Sequence, residues 1–279
     1  MLPLSRSRSR SRFFPVIAPP PPPPSGWDLS TAAYSGVSFS VAAQEVIPTG
    51  VAFKVDGTKM FIIGQIGDDI NEYALSTPWN VSTASFTTNT SVAAQTTAPN
   101  DLFFKPDGLK AYVCSANSIF EYNLSSAWDI ATLTYSGNSF SVSAQESSTR
   151  GLFFKPDGTK LYIIGSVAVK AFEYNMSSAW DITTASYSGN NFSTAAQDSS
   201  ARCLFFNPDG TKMFVLGGNN SAVYEYSVSS AWDVTTASYV TSFSVVSQDS
   251  AIQGLFFKSD GTMMFVVGSA TDTVFAYTL

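Results

Sequence analysis

The sequence predicts an all-β protein built from five repeats, as its composition, one recurring segment and the spacing of that segment indicate. Of the 279 residues, 14% are aromatic and only 13% are charged. The segment GLFFKPDGTKLYIIG (151–165) occurs five times with small changes. Its Asp-Gly pairs are 51, 50, 52 and 51 residues apart and begin at Asp56, Asp107, Asp157, Asp209 and Asp260. A period of about 50 residues with several strands per unit is typical of a β-propeller.

Each repeat is predicted to form four strands, as the third repeat illustrates. Its first strand (152–155) leads into a Pro-Asp-Gly turn, where glycine accepts the left-handed conformation that lets a hairpin continue. The second strand covers 160–164, the third begins at Ala171, and the fourth is NFSTAAQ from Asn191. The first two strands are apolar on both faces and the last two only on alternate residues. Because strands between neighbouring sheets need two apolar faces, we expect the first strands to lie nearest the axis.

The chain begins and ends within a repeat. The strand SFSVAAQ precedes the first complete unit, and the last unit ends with a third strand, VFAYTL. We therefore predict a five-bladed propeller of four-stranded blades, closed by pairing of Ser38 to Gln44 with the strand that ends at Leu279. The predicted domains are the propeller, residues 27–279, and an extended Arg/Ser- and Pro-rich arm, residues 1–26.

Two recurring sets of residues are expected on the side of the Pro-Asp-Gly turns. Eight of the nine lysines flank the turns: Lys54, Lys105, Lys155 and Lys258 before them, and Lys59, Lys110, Lys160 and Lys212 after them. With the turn aspartates they predict a solvated mixed-charge rim. The segment SSAWDITTASY repeats a tryptophan that we interpret as a plug between blade edges. The alternative is that these indoles stack on sugar rings: Trp79, Trp128, Trp180 and Trp232.

A glutamine ends the fourth strand of every unit, at positions 44, 95, 145, 197 and 248, and is predicted to satisfy buried backbone groups. The five residues that follow it keep their length but change in content: EVIPT, TTAPN, ESSTR, DSSAR and DSAIQ. Variable loops on a uniform scaffold are typical of binding surfaces, although unconstrained loops also drift. We predict ligand contacts from these loops, by Arg150, Arg202, Glu146, Asp198 and Asp249.

The residue types argue against catalysis. The chain contains no histidine, which excludes Ser-His-Asp and histidine-metal arrangements. A glutamate recurs on the third strand of four repeats, at positions 72, 121, 173 and 225. Glycoside hydrolysis needs two carboxyl groups in different environments, whereas equal repeats supply equal ones. We predict no catalytic residues, no metal and no other cofactor. The two cysteines, Cys114 and Cys203, are expected to be buried free thiols.

Charge restricts the range of partners. The formal net charge is −6, and four arginines give the first 26 residues +4, so the remainder carries −10. An acidic body argues against nucleic acid as a partner. No apolar run approaches the length of a transmembrane helix, and the apolar segment FFPVIA is too short for a signal peptide.

The repeat unit, EYNLSSAWDI…SYSGNSFSVSAQ…GLFFKPDGTKLYIIG, resembles the propeller repeats of bacteriophage virion and tail-fibre proteins, particularly those of marine phages, over residues 27–279. The resemblance implies a non-enzymatic structural protein on the virion surface, multimeric in the assembly, that acts in attachment to the host or to a glycan. It carries over no defined binding residues. The alternatives are a secreted or cell-surface lectin-like protein and, third, a glycoside-acting enzyme.

The first 26 residues fit an anchoring arm. Four arginines alternate with serines, so an extended chain would place all of them on one side: Arg6, Arg8, Arg10 and Arg12. Pro19 to Pro24 predict a polyproline II rod of about 19 Å. Together with Phe13 and Phe14, the arginines are predicted to contact other virion proteins. A disordered tail is the alternative.

Overall fold

A computed structural model describes residues 26–279, and in this range twenty strands form five four-stranded antiparallel sheets. The first strand in the chain, β1 (Ala33–Ser40), belongs to the last blade. Blade 1 contains β2 (Pro48–Phe53), β3 (Lys59–Gly64), β4 (Asp69–Leu75) and β5 (Ala84–Ser91). Blade 2 contains β6 (Asp101–Phe104), β7 (Lys110–Cys114), β8 (Ser118–Leu124) and β9 (Leu133–Ser141).

Blades 3 to 5 repeat this order. Blade 3 contains β10 (Thr149–Phe154), β11 (Lys160–Gly165), β12 (Lys170–Met176) and β13 (Ala185–Ser193). Blade 4 contains β14 (Ala201–Phe206), β15 (Lys212–Gly217), β16 (Ala222–Val228) and β17 (Ala237–Ser244). Blade 5 contains β18 (Ile252–Phe257), β19 (Met263–Gly268), β20 (Thr273–Thr278) and β1. A short 3₁₀ helix precedes each fourth strand: Leu29–Thr31, Val81–Thr83, Ile130–Thr132, Ile182–Thr184 and Val234–Thr236. No helix in residues 26–279 is long and apolar enough to cross a membrane.

The predicted closure of the ring is confirmed, but the bounds of the closing strand differ. Strand β1 pairs antiparallel with β20, and the amide of Trp27 donates to the carbonyl of Gly261 at 2.9 Å. The closing strand covers Ala33–Ser40, whereas the sequence predicted Ser38 to Gln44. A bulge between Tyr34 and Val37 places Gly36 at φ +80°, and the strand continues through this glycine. The predicted end of the strand forms a turn instead, in which the Gln44 amide donates to the Val41 carbonyl at 2.9 Å.

The apolar core lies between the blades. The innermost strand β2 is buried along its whole length, whereas only some residues of the outermost strand β5 are covered. Each hydrophobic cluster combines neighbouring blades, as Tyr162 of blade 3 packs on Phe206 of blade 4 with ring centroids 4.7 Å apart. This gradient confirms the predicted order from axis to rim.

The tryptophans are plugs at the Pro-Asp-Gly side, as interpreted from the sequence. Trp79 has a φ of +65°, and its amide donates to the carbonyl of Gly57 at 3.0 Å. A side chain on Gly57 would collide with the indole, so the turn glycine supplies both a positive φ and space for the ring. The other indole face stacks on Phe53 with centroids 5.6 Å apart. All five tryptophans have this positive φ and donate to the equivalent turn glycine.

The predicted mixed-charge rim is correct for only one set of lysines. The lysines before the turns pair with turn aspartates, as Lys54 does with Asp56 at 2.8 Å. Those after the turns do not: Lys59 pairs with the buried Glu72 at 2.7 Å and donates to the carbonyl of Trp128 in the next blade at 2.8 Å. The reason is that the second and third strands pair side by side, which brings this lysine to the glutamate. The same lysine–glutamate pair occurs in blades 1 to 4.

The recurring glutamines and the cysteines also have defined places. Gln145 accepts a hydrogen bond from the hydroxyl of Tyr174 in the next blade at 3.0 Å, and the other four units repeat this contact. The prediction that the amide serves backbone groups was therefore wrong about the partner. Cys114 and Cys203 are buried and free, as predicted.

Candidate functional site

Five side chains converge on the axis at the loop face, opposite the Pro-Asp-Gly turns. They are the last residues of the five variable loops, Thr49, Asn100, Arg150, Arg202 and Gln253, and we call them the axial polar ring. Each lies at the start of the innermost strand of its blade, either as its second residue or, for Asn100, directly before it, so the closed ring brings together positions that are about 50 residues apart. They enclose a cavity of about 10 Å³.

Three members of this ring are held by protein contacts. The hydroxyl of Thr49 lies 3.0 Å from the carbonyl of Pro99. The amide nitrogen of Asn100 donates to the carbonyl of Thr149 at 2.7 Å. The amide nitrogen of Gln253 donates to the hydroxyl of Ser269 at 3.1 Å. Sequence reasoning missed these three residues, although their shared position at the end of each variable segment was a usable signal.

The two arginines are different, because much of their donor capacity is unused. Arg150 donates from Nη1 to the Oδ1 of Asn100 at 3.4 Å, a long contact. The Nε atoms of Arg150 and Arg202 are buried and have no hydrogen-bond partner. Neither guanidinium forms a salt bridge within residues 26–279.

The electrostatics of this pair favour an anion. Burial lowers the pKa of Arg202, the positive charge of Arg150 lowers it further, and Asp198 raises it in part. An arginine side chain stays protonated in proteins, so both positive charges persist. Two adjacent cations with free donors can hold the oxygens of a carboxylate, sulfate or phosphate group.

The acidic residues predicted as ligand contacts lie beneath the loops. Glu146, Asp198 and Asp249 are all at most 4% exposed. Each accepts a hydrogen bond from a backbone amide of its own loop and at least one from the neighbouring connection, as Glu146 does from Ser148 at 2.8 Å and from Ala168 at 2.9 Å. These carboxylates therefore support the loops that carry the arginines. A direct contact with ligand stays a prediction for them, and no observed geometry favours it.

The alternative sugar-stacking residues have little free ring surface. Trp128 and Trp232 are 6% and 8% exposed. Trp79 and Trp180 are half-buried, and the ammonium groups of Lys258 and Lys105 lie 5.9 and 6.0 Å from their ring centroids. The geometry thus supports the plug interpretation, and sugar stacking stays a prediction. The predicted anchoring residues lie outside the described residues: Arg6, Arg8, Arg10, Arg12, Phe13 and Phe14.

Comparison with known proteins gives the fold and no family. No family model and no curated protein matches the chain. A Bacteroides fragilis structure, described only provisionally as a 6-phosphogluconolactonase, superposes with a TM-score of 0.50 at 11% identity, covering 79% of this chain and 64% of that one. A functionally unknown protein from Desulfotomaculum acetoxidans gives a TM-score of 0.48 at 11% identity, covering 79% of this chain and 62% of that one.

A protein from Bacteroides uniformis with the same provisional description gives a TM-score of 0.48 at 12% identity, covering 79% of this chain and 64% of that one. The chain therefore spans less than two thirds of the length of each of these structures. At such identities the likeness to the Bacteroides fragilis protein concerns the fold alone.

Proposed function

We propose that this protein is a non-enzymatic binding module that holds an acidic group of a surface polymer, such as a carboxylate or sulfate of an acidic glycan, at the axial polar ring. The observation that carries the proposal is the pair of adjacent guanidiniums, Arg150 and Arg202, whose buried Nε atoms have no partner. Buried polar groups normally have a hydrogen-bond partner, so these Nε–H groups favour an acceptor that enters the ring.

The size of the site indicates how a ligand would lie. A cavity of about 10 Å³ holds a single water-sized group, so one anionic oxygen could enter between the arginines. The rest of the polymer would lie across the variable loops outside. Arginine recognises carboxylates and sulfates through two parallel hydrogen bonds, which gives orientation as well as affinity.

The negative charge of the propeller means that attraction of an acidic group is confined to the two arginines. Residues 27–279 carry a net charge of −10, so the body as a whole does not attract an anionic polymer. Binding would therefore depend on direct contacts with two side chains. Added salt would weaken those contacts between ligand and protein charges that are exposed to solvent.

The recurring glutamates support binding rather than catalysis. Each of the four is buried and paired with the lysine of its own blade, as Glu121 is with Lys110 at 2.8 Å. All four are at most 4% exposed, so a substrate cannot reach them, and each has the same lysine partner, whereas glycoside hydrolysis needs two carboxyl groups in different environments.

A glycan array with the full chain tests this proposal. We expect binding to carboxylated or sulfated glycans and not to their neutral counterparts. Arg150→Ala with Arg202→Ala should weaken binding at least about tenfold, because each charge-assisted hydrogen bond contributes more than one ordinary bond. The matched control is Lys54→Asn with Lys155→Asn, which removes the same charge from the opposite face.

The lysine control is expected to fold, because blade 4 already has Asn207 at the position that Lys54 and Lys155 occupy in their blades. Unchanged binding by the arginine variant, or equal binding of neutral glycans, would overturn the proposal. Loss of binding in the lysine control as well would show that total charge, and not the axial ring, governs the interaction.

We also propose the setting in which the module acts, namely display on the surface of a phage particle through residues 1–26, with a secreted or cell-surface location as the alternative. Its support is the resemblance of the repeats and the composition of the arm. Mass spectrometry of purified particles should detect the chain, and deletion of residues 1–18 should remove it from them. Normal copy number after this deletion would show that the arm is not the anchor.

A further inference from the structure

A second cavity lies on the axis, at the end opposite the axial polar ring. It has a volume of about 270 Å³ and is enclosed by the innermost strands of all five blades. Exposed turn residues, Val55, Pro106, Pro156, Pro208 and Ser259, line its mouth. We call it the axial apolar cavity, and none of its lining residues belongs to the axial polar ring.

The wall of this cavity is an incomplete aromatic ring. Four blades contribute a phenylalanine at the same position of the innermost strand: Phe103, Phe153, Phe205 and Phe256. Successive rings meet edge to face, with centroids 5.5, 5.0 and 5.5 Å apart. Blade 1 has Ala52 at this position, so this layer of phenylalanines lacks a fifth ring. The missing side chain widens the cavity.

The floor carries a buried carboxyl group. Three blades have glycine at the floor position, while blade 2 has Asp101 and blade 4 has Cys203. The Asp101 carboxylate accepts amides from Leu102 at 2.9 Å and from Leu152 of the next blade at 3.1 Å. The thiol of Cys203 lies 3.9 Å from it. The carboxylate has no cationic partner within residues 26–279.

The neighbouring glycines leave room for this group. A side chain on Gly50 would lie 2.7 Å from Oδ1 of Asp101. Asp101 is fully buried, and burial raises its pKa to about 7. The apolar lining and this single carboxyl group together suit an organic molecule that carries one cationic group.

We propose that the axial apolar cavity binds a small aromatic or alicyclic molecule with one primary ammonium group, its ring among the phenylalanines and its ammonium directed at Asp101. The volume exceeds that of a cavity of about 150 Å³ that accepts benzene, and it approaches the lower end of ordinary ligand sites. Aromatic faces attract organic cations, and this attraction is stronger when water is excluded. The carboxylate then supplies a charge-assisted hydrogen bond.

Two probes of equal shape test this assignment: 2-phenylethylamine, which carries the charge, and 2-phenylethanol, which does not. Calorimetric titration of the full chain at pH 8 keeps the amine protonated and the Asp101 carboxyl mostly ionised. We expect the amine to bind at least about tenfold more tightly than the alcohol. Absence of amine binding at millimolar concentration, or equal affinity for the two probes, would overturn the proposal.

Two variants locate the site. Ala52→Phe completes the aromatic ring with the residue that four blades already carry, and it should abolish binding of both probes. Asp101→Asn keeps the size of the side chain and should remove the preference for the amine. Asp56→Asn, in an exposed turn, is the charge-matched control and should change neither affinity.

Amine binding that survives Ala52→Phe, or a preference for the amine that survives Asp101→Asn, would place the site elsewhere and overturn the proposal. Thermal melting establishes that the variants fold. If Asp101→Asn fails to fold, Asp101→Gly gives the same readout, since blades 1, 3 and 5 have glycine at this position.

Discussion

At the residue scale, Asp101 sets a dependence of stability on pH. Burial raises its pKa from the ordinary value of 3.8 to about 7 in the folded chain. The folded state therefore keeps a proton that the unfolded state loses. The stabilisation that results from this bound proton is complete below the unfolded pKa of 3.8. It decreases as the pH rises above that value and is lost once the pH has passed about 7.

We predict that urea unfolding shows a loss of about 2–3 kcal/mol between pH 5 and pH 8 that Asp101→Asn lacks. The chain has no histidine, so no side chain with an ordinary pKa in that interval obscures the effect. Parallel pH profiles of the two proteins would contradict the assignment.

Phe154 tests the core between blades 2 and 3. It is 0% exposed and lies 4.3 Å from the ring of Tyr112 and 5.6 Å from that of Trp180, measured between centroids. Phe154→Ala should reduce the free energy of unfolding by about 3–5 kcal/mol, because it leaves a cavity. Phe86→Ala is the control, since Phe86 is 42% exposed, and it should cost less than about 1 kcal/mol. Equal costs in denaturant unfolding would contradict this description of the core.

Individual site residues were only partly predictable from the sequence. Arg150 and Arg202 could be found because arginine is otherwise absent from residues 27–279. Thr49 and Gln253 were missed although they occupy the same repeat position as the arginines, because ordinary polar residues become a site only when five distant positions meet on the axis. Asp101 could not be recognised from the sequence either. An aspartate at a position where three other repeats have glycine does not show that the position is buried.

At the element scale, a lysine–glutamate pair lies within each of blades 1 to 4, and blade 5 shows how it can be replaced. Blade 5 has Met263 and Ala276 where blade 3 has Lys160 and Glu173, which lie 2.6 Å apart. Lysine and glutamate are thus both absent there. A buried carboxylate that loses its partner is costly, whereas loss of both partners costs less.

We therefore predict that Lys160→Met alone destabilises the protein by about 2 kcal/mol or more, and that adding Glu173→Ala recovers part of this loss. The lysine also donates to the carbonyl of Trp232 at 3.1 Å, so recovery should be incomplete. Urea unfolding of the two single variants and the double variant measures the coupling. A double variant less stable than Lys160→Met would contradict the argument.

In the third repeat, the first three strands were predicted to within about three residues at each end, whereas the fourth strand, which contains a glycine bulge, was predicted worst. Strand β13 extends from Ala185 to Ser193, whereas the sequence predicted a strand from Asn191 to Gln197. The bulge at Gly189, with φ +92°, hid the earlier half of this strand. The final residues, predicted as strand, form the turn that leads to the axial polar ring.

At the scale of the whole molecule, closure by β1 should dominate stability. Deletion of residues 1–44 removes β1 and Trp27 and exposes the edge of β20, which should cause aggregation or a much lower melting temperature. Deletion of residues 1–25 leaves every described contact in place and serves as the control. Unchanged melting of the longer deletion would contradict the closed ring.

The number of blades could be predicted from the five copies of the repeat. The polar and apolar character of the two ends of the axis could not be predicted from them. A period reports which positions are equivalent, whereas a site depends on which equivalent positions differ and face one another. The axial polar ring, which contains Arg150, and the axial apolar cavity, which Asp101 lines, differ in chemistry. They are nevertheless formed by neighbouring residues of the same innermost strands.

The central claim, that Arg150 and Arg202 hold an acidic group, can be observed at the atoms concerned. The chain has only six arginines, four of them in the arm, so the Nε–H signals of ¹⁵N-arginine-labelled protein can be assigned by single substitution. On titration with a glucuronate oligosaccharide, we predict that the signals of Arg150 and Arg202 shift and saturate together, and that a neutral glucose oligosaccharide moves neither. Shifts confined to the four arm arginines, or no shift at all, would contradict the account.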